Sequence, residues 1–493
     1  MGSSFSSLLD HDQASSVADA SAIHNWLSNP SKDLDLPDSE IAHLETCLAN
    51  LRQEHDKVDA HPRLPSAFRL IPPEILAEIF VRCLPKDRNP KYSLSEPPLS
   101  LGLVCRDWRE VCLSTPRLWS SIHVPFPRSG GMTAMRKTIE GKILGVETWL
   151  NRSGSLPLSF SIHADPDCTL PPRSETMDRK QQQEALLLLT GLFTRYFMLH
   201  VDRWQDIELG LGASNSDTLQ YLEQCPNLLH LKFRDYLVGP WPPGLQCNDF
   251  RPILFKHKNL HTCHLDIWVL DHIHTASLAS YPAISLSSLI ALSLEFTVLG
   301  GVGDQVDAML FHDIFAPALR CLKVSIYNQT SSLRVSQHAP FISLLSGSQI
   351  RELETNFQLS VDGYIECLSL APNLTKLVLN NTPAYKCLYP GHVPEQEMTG
   401  KRLMDHLTPS FEQPDPLCPK LRHLSISGFR MLNEQMVNLA SSRRGSVFEG
   451  VAELETLQVK FSRPRRDSDR EDVLDELREQ GMKISFEYLQ DEE

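Results

Sequence analysis

The 493-residue sequence predicts an α/β fold. An N-terminal helix and a small all-helical module lead into a long solenoid of parallel strands and helices. Three observations point there. A short motif, apolar-x-x-apolar-x-apolar, recurs nine times after Trp119. Segments of helical spacing lie between its copies. Residues 64–124 hold two amphipathic helical patterns separated by a polar, proline-bearing insert.

Residues 1–37 are rich in Ser and Asp, have few large apolar groups, and are expected to be disordered. Met1-Gly2-Ser3-Ser4-Phe5-Ser6 fits a loose myristoylation pattern, but the first basic residue is Lys32. A plain Ser-rich end and acylation at Gly2 both stay open, since one acyl chain alone anchors weakly. From residue 38 to 61 the pattern changes. Ile41, Leu44, Leu48, Leu51 and Val58 follow 3–4 spacing, Asp38 and Ser39 can cap the start, and Glu40 suits the helix dipole. This predicts a helix of two to three heptads, which either packs on the next module or self-associates as a short coiled coil. Through His61 there are eleven acidic and three basic residues, so −8 of the net charge of −14 sits in this segment.

The module at 64–124 opens with Ile71-Pro72-Pro73-Glu74-Ile75-Leu76-Ala77-Glu78-Ile79-Phe80. Proline is tolerated in a first helical turn, where its missing N–H costs nothing. Ile75, Leu76, Ile79, Phe80 and Cys83 make one apolar face, and Pro85 ends the helix. An insert runs from 85 to 98. Leu101, Val104, Cys105, Trp108, Val111 and Cys112 form a second helical face, and Thr115-Pro116-Arg117-Leu118-Trp119 turns the chain out.

This stretch resembles an F-box. The family pattern of a Leu-Pro pair, an E-I-L-x-x-I-F helix, V-C-x-x-W and P-x-L-W reads here as Ile71-Pro72, Glu74 to Phe80, Val104-Cys105-Arg106-Asp107-Trp108 and Pro116-Arg117-Leu118-Trp119. Ile71 replaces the usual Leu, and the insert after Leu84 is long. The resemblance implies a helical module that docks on a Skp-type adaptor of a cullin ubiquitin ligase. It also implies an adaptor-facing set of Ile71, Pro72, Ile75, Leu76, Ile79, Val104 and Trp108.

The recurring motif starts at Trp204, Leu228, Leu260, Leu289, Leu319, Ile350, Leu374, Leu421 and Leu454, at spacings of 24, 32, 29, 30, 31, 24, 47 and 33 residues. Cys225-Pro226-Asn227, Ala371-Pro372-Asn373 and Cys418-Pro419-Lys420 introduce three of the copies. Helix-like segments are expected at 216–224, 306–315, 340–346 and 361–370, loops at 165–183 and 383–399, a charged connector at 462–472, then a helix at 473–479 and a last strand at 483–488. Period-2 alternation followed by helical spacing means one strand and one helix per repeat, stacked side by side over 138–493. The pattern is similar to irregular leucine-rich repeats, which implies a horseshoe. Trp149-Leu150-Asn151-Arg152-Ser153-Gly154 and Arg203-Trp204 resemble phrases in the F-box proteins abundant in mushroom-forming fungi.

Side chains alternate across a strand, so the residues between the leucines face away from the core. They include His230, Lys232, Arg234, His264, Asp266, Glu295, Lys323, Glu352, Glu354, Lys376 and Asn380, with Asp206 and Glu208 upstream. A face of mixed charge suits a target protein better than a polyanion. With 61 acidic against 47 basic residues, the chain is unsuited to nucleic acid. No apolar run is long enough to span a membrane. The twelve cysteines form no Cys-x-x-Cys pair, and with no secretory signal they are expected to be thiols of the cytosol or nucleus.

His257, His261, His264, His272 and His274 cluster around Cys263, but Cys263 should point inward and His264 outward, so no metal site is expected. No phosphate-binding, zinc-protease or nucleophile-elbow motif occurs, so no catalytic residue and no cofactor are expected. The reading is a non-catalytic receptor: the F-box holds the ligase, and the repeats hold the target. The alternative is an interaction scaffold with a vestigial F-box.

Overall fold

The computed structural model describes residues 41–53, 71–126, 132–164, 198–210, 222, 224–234, 245–269, 282–298, 310–328, 335–380, 396–411, 415–429, 433–444, 448–461, 464–465 and 472–488. The chain divides into two compact units, Met1–Leu76 and Ala77–Glu493. In the first, residues 41–53 form helix α1. Its Ile41, Leu44, Leu48 and Leu51 make an apolar stripe that is exposed.

The second unit is dominated by a parallel sheet of thirteen strands. It begins with β1 (Ser121–Phe126), β2 (Leu158–Ala164), β3 (Trp204–Leu209) and β4 (His230–Phe233). The central strands are the two-residue β5 (Leu245–Gln246), which pairs with β6, then β6 (Thr262–Val269), β8 (Ala291–Val298) and β10 (Cys321–Asn328). It ends with β11 (Glu352–Thr355), β12 (Lys376–Asn380), β13 (His423–Ser427), β14 (Thr456–Lys460) and β15 (Lys483–Glu487). Apart from β5, order in the sheet is order in the sequence. Each of the nine motifs carries a strand, and eight of these strands start two residues after the motif's first apolar residue.

The register explains why. Ile207, Leu231, Cys263, Leu292, Leu322, Leu353, Leu377, Leu424 and Leu457 stand opposite one another from β3 to β14. All are at most 2% exposed. A second buried row lies two residues on, from Leu209 to Val459. Each buried Leu contributes about 1.5–3 kcal/mol relative to an exposed one. The prolines have a local cause. In Ala316-Pro317, Ala371-Pro372 and Cys418-Pro419 a carbonyl accepts the N–H of Leu319, Leu374 or Leu421 at 3.0–3.1 Å, closing a turn that delivers the leucine to the core. Proline's fixed φ suits the second position of such a turn.

Helices follow the strands most regularly in the C-terminal half. They are α6 (Ile342–Leu345), α7 (Val361–Ser369), α8 (Gln396–Leu407), α9 (Asn433–Ser442) and α10 (Asp472–Glu479), preceded by α5 (Cys247–Lys256). Buried Arg443, just past α9, fixes one crossover: its guanidinium donates to the carbonyls of Leu407, Leu417 and Cys418 at 2.8–3.2 Å.

Two expectations are corrected. The helix expected over 306–315 gives way to β9 (Ile314–Phe315), which pairs with β7 (Ile284–Ser285) in a second small parallel sheet. Asp313 adopts φ 55°, which breaks helical geometry, and β-branched Ile314 is buried in the strand. Helix α8 begins at Gln396, inside the loop expected over 383–399, whose residues 383–395 lie outside the described residues. The segments 165–183 and 216–221 lie outside the described residues, as do 306–309.

Candidate functional site

Helix α2 (Pro73–Arg82) and helix α3 (Arg106–Ser114) carry the two helical patterns read between 71 and 112. Cys105 caps α3, its Sγ accepting the N–H of Trp108. Phe80, fully buried, meets the Trp108 ring at 4.8 Å. Trp119 donates to the carbonyl of Cys112 at 2.8 Å and packs edge-on against Trp149 of α4 (Met132–Arg152) at 4.9 Å.

Of the seven residues implied to face an adaptor, Leu76 is buried at 6%, and Ile71 and Trp108 are half-buried. Pro72 is exposed, as are Ile75 at 55%, Ile79 at 42% and Val104 at 60%. Leu103, at 56% exposure, belongs beside Val104 and was absent from the sequence-based set. A helical pattern identifies an apolar face, but it does not say which members the module keeps for its own core.

The insert is pinned to the sheet. Asn89 donates to Ser161 Oγ at 3.2 Å and accepts from Ser159 Oγ at 2.9 Å, both on β2. His123 N–H donates to Pro90 O at 2.8 Å, and Lys91 forms a parallel bridge with His123 of β1. Arg88 makes two bonds to Glu96, at 2.9 and 3.0 Å. A Cβ on Gly145 of α4 would run into the outer end of the Tyr92 ring, so a larger residue there would displace that side chain. Nothing in the periodicity of a polar insert signals this anchoring.

On the sheet's polar face, every one of the eleven residues predicted to point away from the core is half-buried or exposed. Opposite charges meet across the strands: Lys232 with Glu208 at 2.5 Å, Lys323 with Glu295 at 3.0 Å and Glu354 at 3.3 Å, and Lys376 with Glu352 at 3.5 Å. His264 lies 3.2 Å from Asp266, and His230 lies 3.8 Å from Asp206. Such partly exposed pairs contribute roughly 0–1 kcal/mol each, so they order the face more than they stabilise it.

These side chains line a groove of about 720 Å³. It brings together His230, Lys232, His264, Lys323, Glu352, Glu354 and Lys376. Arg234, Asp266, Glu295 and Asn380 stand on the same strands or at their ends but do not line it. Asp206 and Glu208 do, and so do Leu84 and the insert from Pro85 to Asn89. Burial raises the Asp206 carboxyl above its ordinary pKa, with His230 and the Ser159 hydroxyl acting against it. Small residues, Ala291, Ser293 and Cys321, floor the centre of the groove.

Cys263 is buried while His264 is on the polar face, and His257 is buried at the end of α5. Burial pulls the His257 imidazole down to about 4. Among the described residues, no cluster of His, Cys, Asp or Glu could hold a metal ion, and no helix is long and apolar enough to cross a membrane.

Residues 68–125 match the F-box-like family model. The match covers α2, the insert, α3, the Pro116–Trp119 turn and nearly all of β1. Domains similar to this one generally bind Skp-type adaptors and serve as substrate adaptors of ubiquitin ligases. No curated protein matches the chain.

Proposed function

We propose that this protein is a non-catalytic substrate receptor of a Skp–cullin–F-box ubiquitin ligase. The F-box-like segment docks the adaptor through Ile79, Leu103 and Val104. The polar face of the sheet holds the target protein. Ubiquitin transfer is then a matter of placement: the receptor brings a target lysine near the loaded enzyme, and no side chain of this chain does bond chemistry. We read the strand array as an irregular leucine-rich-repeat horseshoe, of the type found in mushroom-forming fungi, working in the cytosol or nucleus.

The observation that carries the reading is a set of exposed aliphatic side chains within the stretch that matches an F-box. Apolar groups concentrated at a surface mark interaction sites. The test is co-purification of the full chain with a Skp-type adaptor. Wild-type protein should retain the adaptor. Ile79→Asp with Val104→Asp should abolish retention, because burying an unpaired carboxylate in an interface is costly. Failure of the folded wild-type chain to bind the adaptor would favour the second reading, an interaction scaffold outside any ligase. The length of the insert between α2 and α3 is the feature that favours that alternative.

A further inference from the structure

The insert does more than connect two helices. Its first part, from Pro85 to Asn89, forms one wall of the groove with Leu84, and Asn89 ties that wall to β2 through two hydrogen bonds. Ser159, which donates to Asn89, stands opposite Asp206 in the register of β2 with β3, and Asn89 and Asp206 both line the groove, so Asp206 lies in the corner beside the wall. Among the described residues, the ion pair this carboxylate makes is with His230, at 3.8 Å. The next floor carboxylate, Glu208, has Lys232 at 2.5 Å. On the insert Lys86 is followed directly by Asp87, and Arg88 makes two bonds to Glu96. Among the described residues, the corner therefore holds a partly desolvated carboxylate whose ionic partner is a histidine. A desolvated carboxylate gains most from a cation brought close to it.

We propose that the corner between the insert and β3 receives a lysine or arginine side chain of the bound target, with Asp206 as its carboxylate and the insert as the wall that fixes it. This rests on the reading of the sheet face as the target-binding surface. It makes the insert, which lies inside the F-box-like segment, part of target recognition. Two consequences distinguish it from a purely structural role for the same residues. Recognition depends on the sign of one target side chain. It also depends on the insert without dependence on the fold, because Asp206→Asn keeps the shape and the hydrogen-bonding oxygen.

A random twelve-residue peptide library displayed on phage, selected against the full chain, supplies the probe. Enriched peptides should share a Lys or Arg at a fixed position. One such peptide, synthesised, should bind at least tenfold more weakly to Asp206→Asn, and tenfold more weakly when its basic residue becomes Gln. The two changes together should cost little more than either alone, because they remove the same contact. Asn89→Ala, which releases the wall, should weaken binding as well, while Asp206→Asn melts at the wild-type temperature. Enriched peptides that bind on the sheet face without a basic residue, or that ignore Asp206→Asn, overturn this inference and leave the face as a target site. A library with no peptide above background overturns both. Adaptor retention, measured on the same variants, reports on the ligase reading separately.

Discussion

Regularly spaced aliphatic residues occur in two regions of this molecule, and the regions use them oppositely. From β3 to β14 they form rows at most 3% exposed. In the F-box-like segment Ile75, Ile79, Leu103 and Val104 are 42–60% exposed. The difference lies in what each element has for a neighbour. A strand in a parallel sheet has a partner on either side whose identical pattern covers the same face, so the pattern implies burial. A pair of short helices cannot cover all its apolar surface with itself. Phe80, Val111, Cys112 and Leu118 are enough to make the core there, and the remaining aliphatics are left outside.

The largest effect should come from removing the element that the two regions share. All of β1 but its last residue lies within the F-box-like match, and β1 is also the first strand of the sheet. A chain beginning at Thr138 would leave β2 with β3 as its one strand partner among the described residues and would discard β1 together with the insert bound to it. It should aggregate, whereas a chain keeping residues 68–125 should elute as a folded species in size-exclusion chromatography. A soluble, cooperatively melting fragment from Thr138 would show that the regions are independent after all.

Next in size is the core row itself. Leu322→Ala should cost about 2–5 kcal/mol through lost transfer energy and the cavity left behind. Lys323→Gln, one residue away on the opposite face, should cost under about 1 kcal/mol, since it loses only half-exposed pairs to Glu295 and Glu354. Ile79→Asp with Val104→Asp should likewise stay near ±0.5 kcal/mol, because both sites face solvent in the free chain. Urea titrations of the three variants would place them in that order. A destabilisation by Ile79→Asp as large as that of Leu322→Ala would erase the contrast.

A smaller effect tests whether burial in the array reaches a polar group. The folded-state pKa of His257, about 4, lies below the ordinary 6.5, chiefly because the ring is buried, with backbone contacts at Cys225 and Leu222 acting against. The native state therefore resists protonation. Its stability is unaffected by this residue above pH 6.5 and falls as pH drops from there toward 4, by roughly 2 kcal/mol at pH 5. The denaturation midpoint of His257→Gln should fall less between pH 7 and pH 5 than that of the wild type. Equal slopes would mean that the imidazole titrates in water.

How much of this was legible beforehand depends on which side chains face the core. The strands carrying leucines two residues apart could be read directly. β1 and β2 were missed because their shared core is partly polar: His123 is buried and its Nδ1 lies 3.0 Å from the buried Ser161 Oγ, which hides the alternation. α5 was masked by Pro252 in its interior, a residue that normally argues against a helix. On the face, alternation alone separated Lys323 from Leu322. That the insert would join the same groove could not be read, because Asn89 meets Ser159 and Ser161 across about seventy residues of sequence, through hydrogen bonds with no periodic signature.

The strand order has a kinetic side. Along the sheet, nearly every strand is bonded to the strands that precede and follow it in sequence. Such an array has no distant contact to wait for: it can nucleate locally and grow outward, and it can open from an end without disturbing the middle. Among the described residues β15 has a neighbour on one side only, and its residues alternate between exposed and half-exposed. β8 is flanked by eight-residue partners on both sides, β6 and β10. Amide protons should therefore exchange first at the C-terminal strand and last around Leu292 and Leu294, so that the protein loosens from one end like a zip while its centre stays closed.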